Sequence, residues 1–461
     1  MKNIESFIIA INEFVWGWPL IGLILCVGLY FSVKLGILGF SKLKLSMKYV
    51  LERGEGEGDI SVFASLCTAL SATIGTGNIV GIAVAITCGG PGALFWLWIS
   101  SIVSFAIKYS EGFLAIKYRI GGKDGKMCGG PMYYISIGLH GKWYAKILSR
   151  VFAIGGILVA LIGIGTLAQS NSIAIALGAF GLSPIGADVI IVVCVAAVIM
   201  GGIHRIASVA EKIVPFMTLF YLASSIIVLI LNFTVIPDVF LAIFKGAFYP
   251  EAFLGAGCGI TISQIASIGV SRGIFSHESG LGSSAIAEAA GQTNSPVKQG
   301  LVSMSGAILS VIVCSMTGII LILTCHDTAL FSGSDHLIGA ELTSQAFCTS
   351  LDFISFGEYL VGKYIVDLAI ILFAFTTIIG WSYYGEKCIQ FILGDSYITP
   401  YKLLFLFFVA LGPFYKINII FTLADIATGI MTIPNLIGLI GLRKMIISET
   451  KVCWNSIKSG N

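Results

Sequence analysis

Charge is scarce in this chain of 461 residues. Asp, Glu, Lys and Arg make up only 11% of it, hydrophobic residues 57%, and the mean hydropathy is +0.96. An ordinary soluble domain is roughly a quarter charged, so this composition describes a polytopic membrane protein. From Ile60 to Ile107 no Lys, Arg, Asp or Glu occurs at all. Histidine is also sparse, with five copies, and the 11 cysteines are scattered through apolar runs with no C-x-x-C spacing. They read as small buried hydrophobes, not as a disulfide framework or a zinc site, and no cofactor is implied. The formal net charge is only +3. No basic domain or aromatic-basic platform accompanies it, so nucleic acid is not an expected partner.

Glycine is abundant instead, 55 residues in 461. A spanning helix needs roughly 20 apolar residues, and on that measure eleven runs qualify: 14–36, 60–87, 91–116, 147–176, 186–201, 211–234, 254–280, 297–324, 361–390, 401–415 and 417–442. The first carries Trp16, Trp18 and Tyr30 as interface aromatics and has neither a basic n-region nor a convincing cleavage site, so it is expected to stay as an anchor. With the N-terminus outside, all basic residues except Lys2, Lys245, Lys363 and Lys416 fall on one side. The positive-inside rule therefore predicts an N-out, C-in protein of a bacterial-type inner (plasma) membrane, its basic face toward anionic lipid. Oligomeric state is not legible.

Within this apolar background, Ser71-Ala72-Thr73-Ile74-Gly75-Thr76-Gly77-Asn78 is small and polar at membrane depth. Unpaired backbone groups in hydrocarbon cost several kcal/mol each unless protein or a water-filled cavity satisfies them. Gly75 and Gly77 around Thr76 predict an unwound helix, and an unwound membrane helix is a ready ion and substrate site. A glycine pair serving only close packing is the competing reading. The hydroxyls at Ser71, Thr73 and Thr76, the amide of Asn78 and a second Gly/Ser-rich span from Gly255 to Gly280 outweigh it. Those two spans are the second and seventh, five apart, as two inverted five-helix repeats require. The chain divides accordingly into residues 1–59 (an extra N-terminal helix and cytoplasmic loop), 60–234 (first repeat), 235–253 (extracellular connection), 254–442 (second repeat) and 443–461 (a cytoplasmic tail ordered in part).

Further polar groups need a reading. Gln169 in the fourth span suits interhelical glue and ligand contact equally. Lys108 and Glu111 form an i,i+3 pair expected at the cytoplasmic boundary, and Asp367 and Asp425 are expected in structural or boundary roles. Asp59 or Ser61 caps the second span, and residues 281–292 form a short cytoplasmic helix. Gly269-Val270-Ser271-Arg272-Gly273 matches G-x-S-x-G but sits in a membrane helix, not at a strand-turn-helix elbow, so no hydrolase is implied. His277-Glu278 lacks the second histidine of a zincin.

Four separated motifs carry a resemblance that covers residues 14–445. Ser71 to Gly81, Gly90-Pro91-Gly92-Ala93-Leu94-Phe95-Trp96-Leu97-Trp98, Gly129-Gly130-Pro131-Met132-Tyr133-Tyr134 and Arg272 to Ser284 together resemble the alanine or glycine:cation symporters. His277 stands where that family is expected to carry Asn. The resemblance implies an all-α LeuT-type fold of ten core helices in two inverted repeats, preceded by one helix, and Na⁺-coupled symport of small neutral amino acids by alternating access. It implies a substrate carboxylate at Thr76, Gly77 and Asn78, an ammonium at carbonyls of a seventh-span break near Ile274 and Phe275, and a pocket wall of Gln169, Phe275 and Trp381. Na⁺ would take carbonyls of Ser71 and Ile74 and hydroxyls of Thr376 and Thr377. The alternatives are H⁺-coupled transport of another small solute on the same fold, and a passive channel.

Overall fold

The computed structural model of the chain describes residues 10–36, 42–52, 54–122, 125–249, 261–325, 339–351, 361–414 and 417–459. These form a helical bundle in chain order: α1 Trp18–Leu35, α2 Leu43–Leu51, α3 Val62–Thr73, α4 Val80–Gly89, α5 Gly92–Lys117 and α6 Pro131–Gly138. Next come α7 Ala145–Ile162, α8 Leu167–Gly178, α9 Pro184–Ile199, α10 Gly202–Leu231, α11 Ile236–Phe248 and α12 Ile262–His277. The remainder is α13 Ser284–Glu288, α14 Pro296–Cys325, α15 Ala340–Ser350, α16 Val361–Leu393, α17 Ile398–Leu411 and α18 Ile417–Ser459. Among the described residues eight helices are long and apolar enough to cross a membrane, and α3 with α4 makes a ninth span bent by 62°. The apolar 16-residue α9 is shorter. Part of the expected seventh span lies outside the described residues, and α12 is the part within them.

Helix α5 runs through the centre, packed along α14, α12 and α1, while α16 lies against α7, α8, α10 and α3. Small residues permit these approaches: a Cβ on Gly92 would lie 2.3 Å from the Gly246 carbonyl, so α5 and α11 touch backbone to backbone. Ser61 caps α3 by accepting from Ala64 N at 3.0 Å, whereas Asp59 accepts from Met127 N at 2.9 Å. Inside α3 the hydroxyls of Ser65, Thr68, Ser71 and Thr73 return to carbonyls three or four residues back, which satisfies them without water.

Arg119 clasps the end of α3 remote from the bend. Its Nη1 donates to the carbonyls of Ala289 (3.1 Å) and Gly291 (2.7 Å), its Nη2 to those of Glu57 (2.6 Å) and Thr293 (2.8 Å) and to Asn294 Oδ1 (3.4 Å). Asp59 N to Ala290 O and Gln292 N to Ile60 O, each 2.8 Å, tie the same two segments together.

Several sequence-based placements are corrected. Lys108 and Glu111 do not pair: both are buried in the bundle and form no ion pair with each other. Arg272, counted with the cytoplasmic basic residues, is half-buried beside an internal cavity. The span expected to start at 211 begins at Gly202, because a helix tolerates His204, Arg205, Glu211 and Lys212 on an open face. The connection after it contains α11, which buries Val239, Ala242 and Ile243. The expected short helix in 281–292 is only α13, fully buried. The tail expected to be ordered in part is helical to Ser459, held by a buried Ile446 and by Thr450, which bonds the Tyr109 hydroxyl at 2.9 Å.

Candidate functional site

The α3–α4 bend is built from its own side chains. Helix α3 stops at Thr73 and Ile74 is extended (φ −90°, ψ 93°). A 3₁₀ turn Thr76–Asn78 then leads into α4. Asn78 holds the bend: its Oδ1 accepts from Gly75 N at 3.0 Å, while its Nδ2 donates to Ser310 Oγ at 2.8 Å and contacts Cys314 Sγ at 3.1 Å on α14. In a continuing helix the Gly75 N–H would close the Ser71 carbonyl and the Asn78 N–H the Ile74 carbonyl. Here they go to Asn78 Oδ1 and Gly75 O. Both carbonyls are therefore released from the helical ladder.

Helix α16 lies close to those carbonyls. A Cβ on Gly75 would come within 2.5 Å of Thr377 Oγ1, and one on Gly380 within 2.6 Å of Ser71 Oγ. Thr377 also donates to Phe373 O at 2.8 Å. Ser71, Ile74 and Thr377 thus share one seam. Thr376 bonds the same carbonyl at 3.0 Å and contacts Met217 Sδ at 3.4 Å on α10.

Beside this seam opens a cavity of about 400 Å³. One stripe of the second half-helix faces it, Gly77, Val80, Gly81 and Val84, with open space beside Gly77 and Gly81. Gln169 lines it and accepts from Thr76 Oγ1 at 3.0 Å, while no described residue accepts from its Nε2. Phe275 lines it too, packed against Trp16 with ring centroids 4.4 Å apart and planes tilted by 37°. The structure thus brings Thr76, Gly77, Asn78, Gln169, Phe275 and Thr377 together around one cavity.

Two expected site residues lie elsewhere. Ile274 is buried within α12, which runs unbroken to His277; the interruption expected near Ile274 and Phe275 comes later, at Glu278, whose φ is +50°. Trp381 is fully buried off the cavity lining, against Tyr384 (centroids 5.3 Å apart) and Gly165. Gly165 belongs to a third interruption, between α7 and α8, where Thr166 Oγ1 bonds Leu161 O at 2.6 Å and Ile164 reaches the cavity. The expected donors of Asn78 are both engaged with α14, which makes it a support of the bend in this conformation.

Sequence reasoning did not place Arg272, Ser276, Glu278 and Asp425 in the cavity lining. Arg272 was read by the positive-inside rule, which treats every basic residue as surface. Asp425 was read as a boundary group, yet its carbonyl accepts from Trp16 Nε1 at 2.8 Å and the residue lines the cavity. For Glu278 the available signal was a carboxylate inside a Gly/Ser-rich span with no basic residue at helical spacing after it.

Long apolar helices interrupted where they meet, around one cavity, define a membrane transporter of the LeuT type and not an enzyme. The fold agrees with a solved structure of MhsT in complex with L-phenylalanine, at a TM-score of 0.57 and 13% identity over 83% of this chain and 89% of that one. The sodium:alanine symporter family model matches residues 1–461. An uncharacterized transporter of Haemophilus influenzae is 45% identical over 99% of this chain and 97% of its own length. The sodium/alanine symporter AgcS of Methanococcus maripaludis is 40% identical over 98% of both chains. The chain belongs to the sodium:alanine symporter family, whose members couple amino-acid transport to Na⁺.

Proposed function

We propose that this protein imports alanine or glycine together with Na⁺ by alternating access around the α3–α4 cavity. The observation that carries the reading is the pair of carbonyls at Ser71 and Ile74, freed from the helical ladder beside the Thr377 hydroxyl. Hard oxygen donors of this kind suit Na⁺. The N–H groups at Thr76 and Gly77 and the positive end of α4 would receive the carboxylate, with Gln169 and Phe275 beside the side chain. Asn78 would act through the shape of the bend. Trp381 would bound the substrate only indirectly, through Gly165, and Thr376 would complete the ion site after a rotamer change. A Methanococcus relative named for alanine supports that substrate class.

The two inverted repeats would be residues 60–234 and 254–442, with the N-terminus outside, the C-terminus cytoplasmic and the Arg119 clasp on the cytoplasmic face of the plasma membrane. Purified protein in liposomes, supplied with labelled alanine and given in turn a Na⁺ gradient, a H⁺ gradient or neither, tests the reading. Accumulation against the alanine gradient only with inward Na⁺ is expected. Uphill uptake driven by H⁺ alone would reassign the coupling ion, and uptake that tracks only the alanine gradient would make the protein a channel.

A further inference from the structure

We propose that Glu278 carries an exchangeable proton, released into the cavity when a cation enters. Glu278 is the only non-glycine among the described residues with positive φ, and it is one of the residues lining the cavity. A residue held in that region against its preference marks a position over-determined by its surroundings. Its Oε2 takes the Ser283 hydroxyl at 2.6 Å and lies 3.3 Å from Thr73 Oγ1. Thr73 has one hydroxyl hydrogen, and that hydrogen is used at 3.0 Å by the Ala69 carbonyl. The same hydroxyl is placed to donate to Glu278 Oε2, so one hydrogen serves two acceptors. A proton on Glu278 relieves that competition, because its O–H can serve Thr73 Oγ1 while the Thr73 hydrogen stays with the Ala69 carbonyl.

Charge balance points the same way. Behind Glu278, away from the cavity, lie Glu111 and Glu288, both buried. Lys108 is the cation within electrostatic reach of all three carboxylates, itself buried and with no hydrogen-bond partner at Nζ. His277 adds no charge: its Nδ1 accepts from Ser279 N at 3.2 Å and so belongs to the neutral ring. Tyr384 faces Glu278 from α16, and Arg272 and Asp425 stand across the cavity. Three ionised carboxylates against one ammonium would leave two negative charges uncompensated in a medium that penalises even one. Protons on the carboxylates supply the balance while no cation is bound. Glu111 accepts from Gly280 N at 2.9 Å and Asn435 Nδ2 at 2.7 Å and does not line the cavity. Glu288 accepts from Ser303 Oγ at 2.7 Å but does not line the cavity. Glu278 is the member of the three that lines the cavity.

The exchange conserves charge: one proton leaves Glu278 for cavity water as one positive charge, Na⁺ or the substrate ammonium, takes its place. Cation binding that expels a proton grows tighter as pH rises, by up to about tenfold per pH unit below the titration. The inference rests on the symport reading only for the identity of that cation.

Infrared difference spectroscopy on the full-length protein in lipid, at neutral pH and without Na⁺ or amino acid, reads the proton directly. A protonated-carboxyl band is expected in the wild type, absent from Glu278→Gln and diminished in the wild type on adding Na⁺ and alanine. In parallel, alanine affinity should rise with pH in the wild type and stay flat in Glu278→Gln. Should Glu278→Gln fail to fold, Thr73→Val and Ser283→Ala should shift the frequency of the band, since each removes one partner of the carboxyl. Identical spectra for wild type and these variants overturn the proposal even if Na⁺-driven uptake is intact. A band that behaves as expected upholds it even if alanine proves not to be the substrate.

Discussion

Thr377 sits against the bend, its hydroxyl where a side chain on Gly75 would have to go. Thr377→Ala keeps the helix and deletes one oxygen. If that oxygen binds Na⁺, the loss of a charge-assisted contact costs about 1.5–3 kcal/mol, roughly tenfold or more in affinity. The half-saturation for Na⁺ in alanine uptake should rise by that factor; an unchanged value would move the ion elsewhere. Asn78 predicts a different pattern, because its amide ties the bend to α14 through Ser310 and Cys314. Asn78→Ala should lower thermal stability and weaken alanine and glycine binding by the same factor, since both depend on the shape of the bend. A ligand-selective effect with unchanged melting would instead mean direct contact with substrate. From sequence, the amide was readable as functional, but whether its donors point at a ligand or at a neighbouring helix depends on a contact more than two hundred residues away.

At the scale of the element, Gly75 offers a test of the seam between α3 and α16. A methyl there meets the end of a β-branched side chain at 2.5 Å. Gly75→Ala should therefore raise the Na⁺ half-saturation sharply in the wild-type background and add little in Thr377→Ala, because the clash partner is gone. Additive effects of the two substitutions would show the seam to be looser than described. The first break was legible because Ser71 to Asn78 stands out against a run without charge. The second was misplaced by a few residues: α12 and the segment joining it to α13 are rich in glycine and serine throughout, and the helix ends on Glu278, a good helix former. The third, at Gly163 to Thr166, was hidden because apolar length alone cannot distinguish one 34-residue span from two stacked helices.

For the whole molecule, apolar run length sufficed to mark the helical bundle and most of its spans, since bilayer thickness leaves little freedom in helix length. What it could not give was the interior charge. Lys108, Glu111, Arg272 and Asp425 look like boundary residues when each is read alone, and only the packing of α5, α12 and α18 turns them inward. Residue 119 carries a consequence of another sort. Five acceptors converge on one guanidinium, four of them on residues 289–294 and one on Glu57, and any movement that parts the end of α5 from residues 289–294 has to surrender those four together. A step that breaks several hydrogen bonds before water replaces them has a large activation enthalpy, so turnover should depend far more steeply on temperature than substrate binding does. Lysine, a point charge without the fork, cannot hold the same set. Arg119→Lys should flatten the Arrhenius plot of alanine counterflow and raise its rate in the cold, leaving the rate at high temperature nearly unchanged. A slope identical to wild type would mean that the clasp stays shut throughout the cycle. If the slope does flatten, Arg119 sets the temperature at which this protein begins to work.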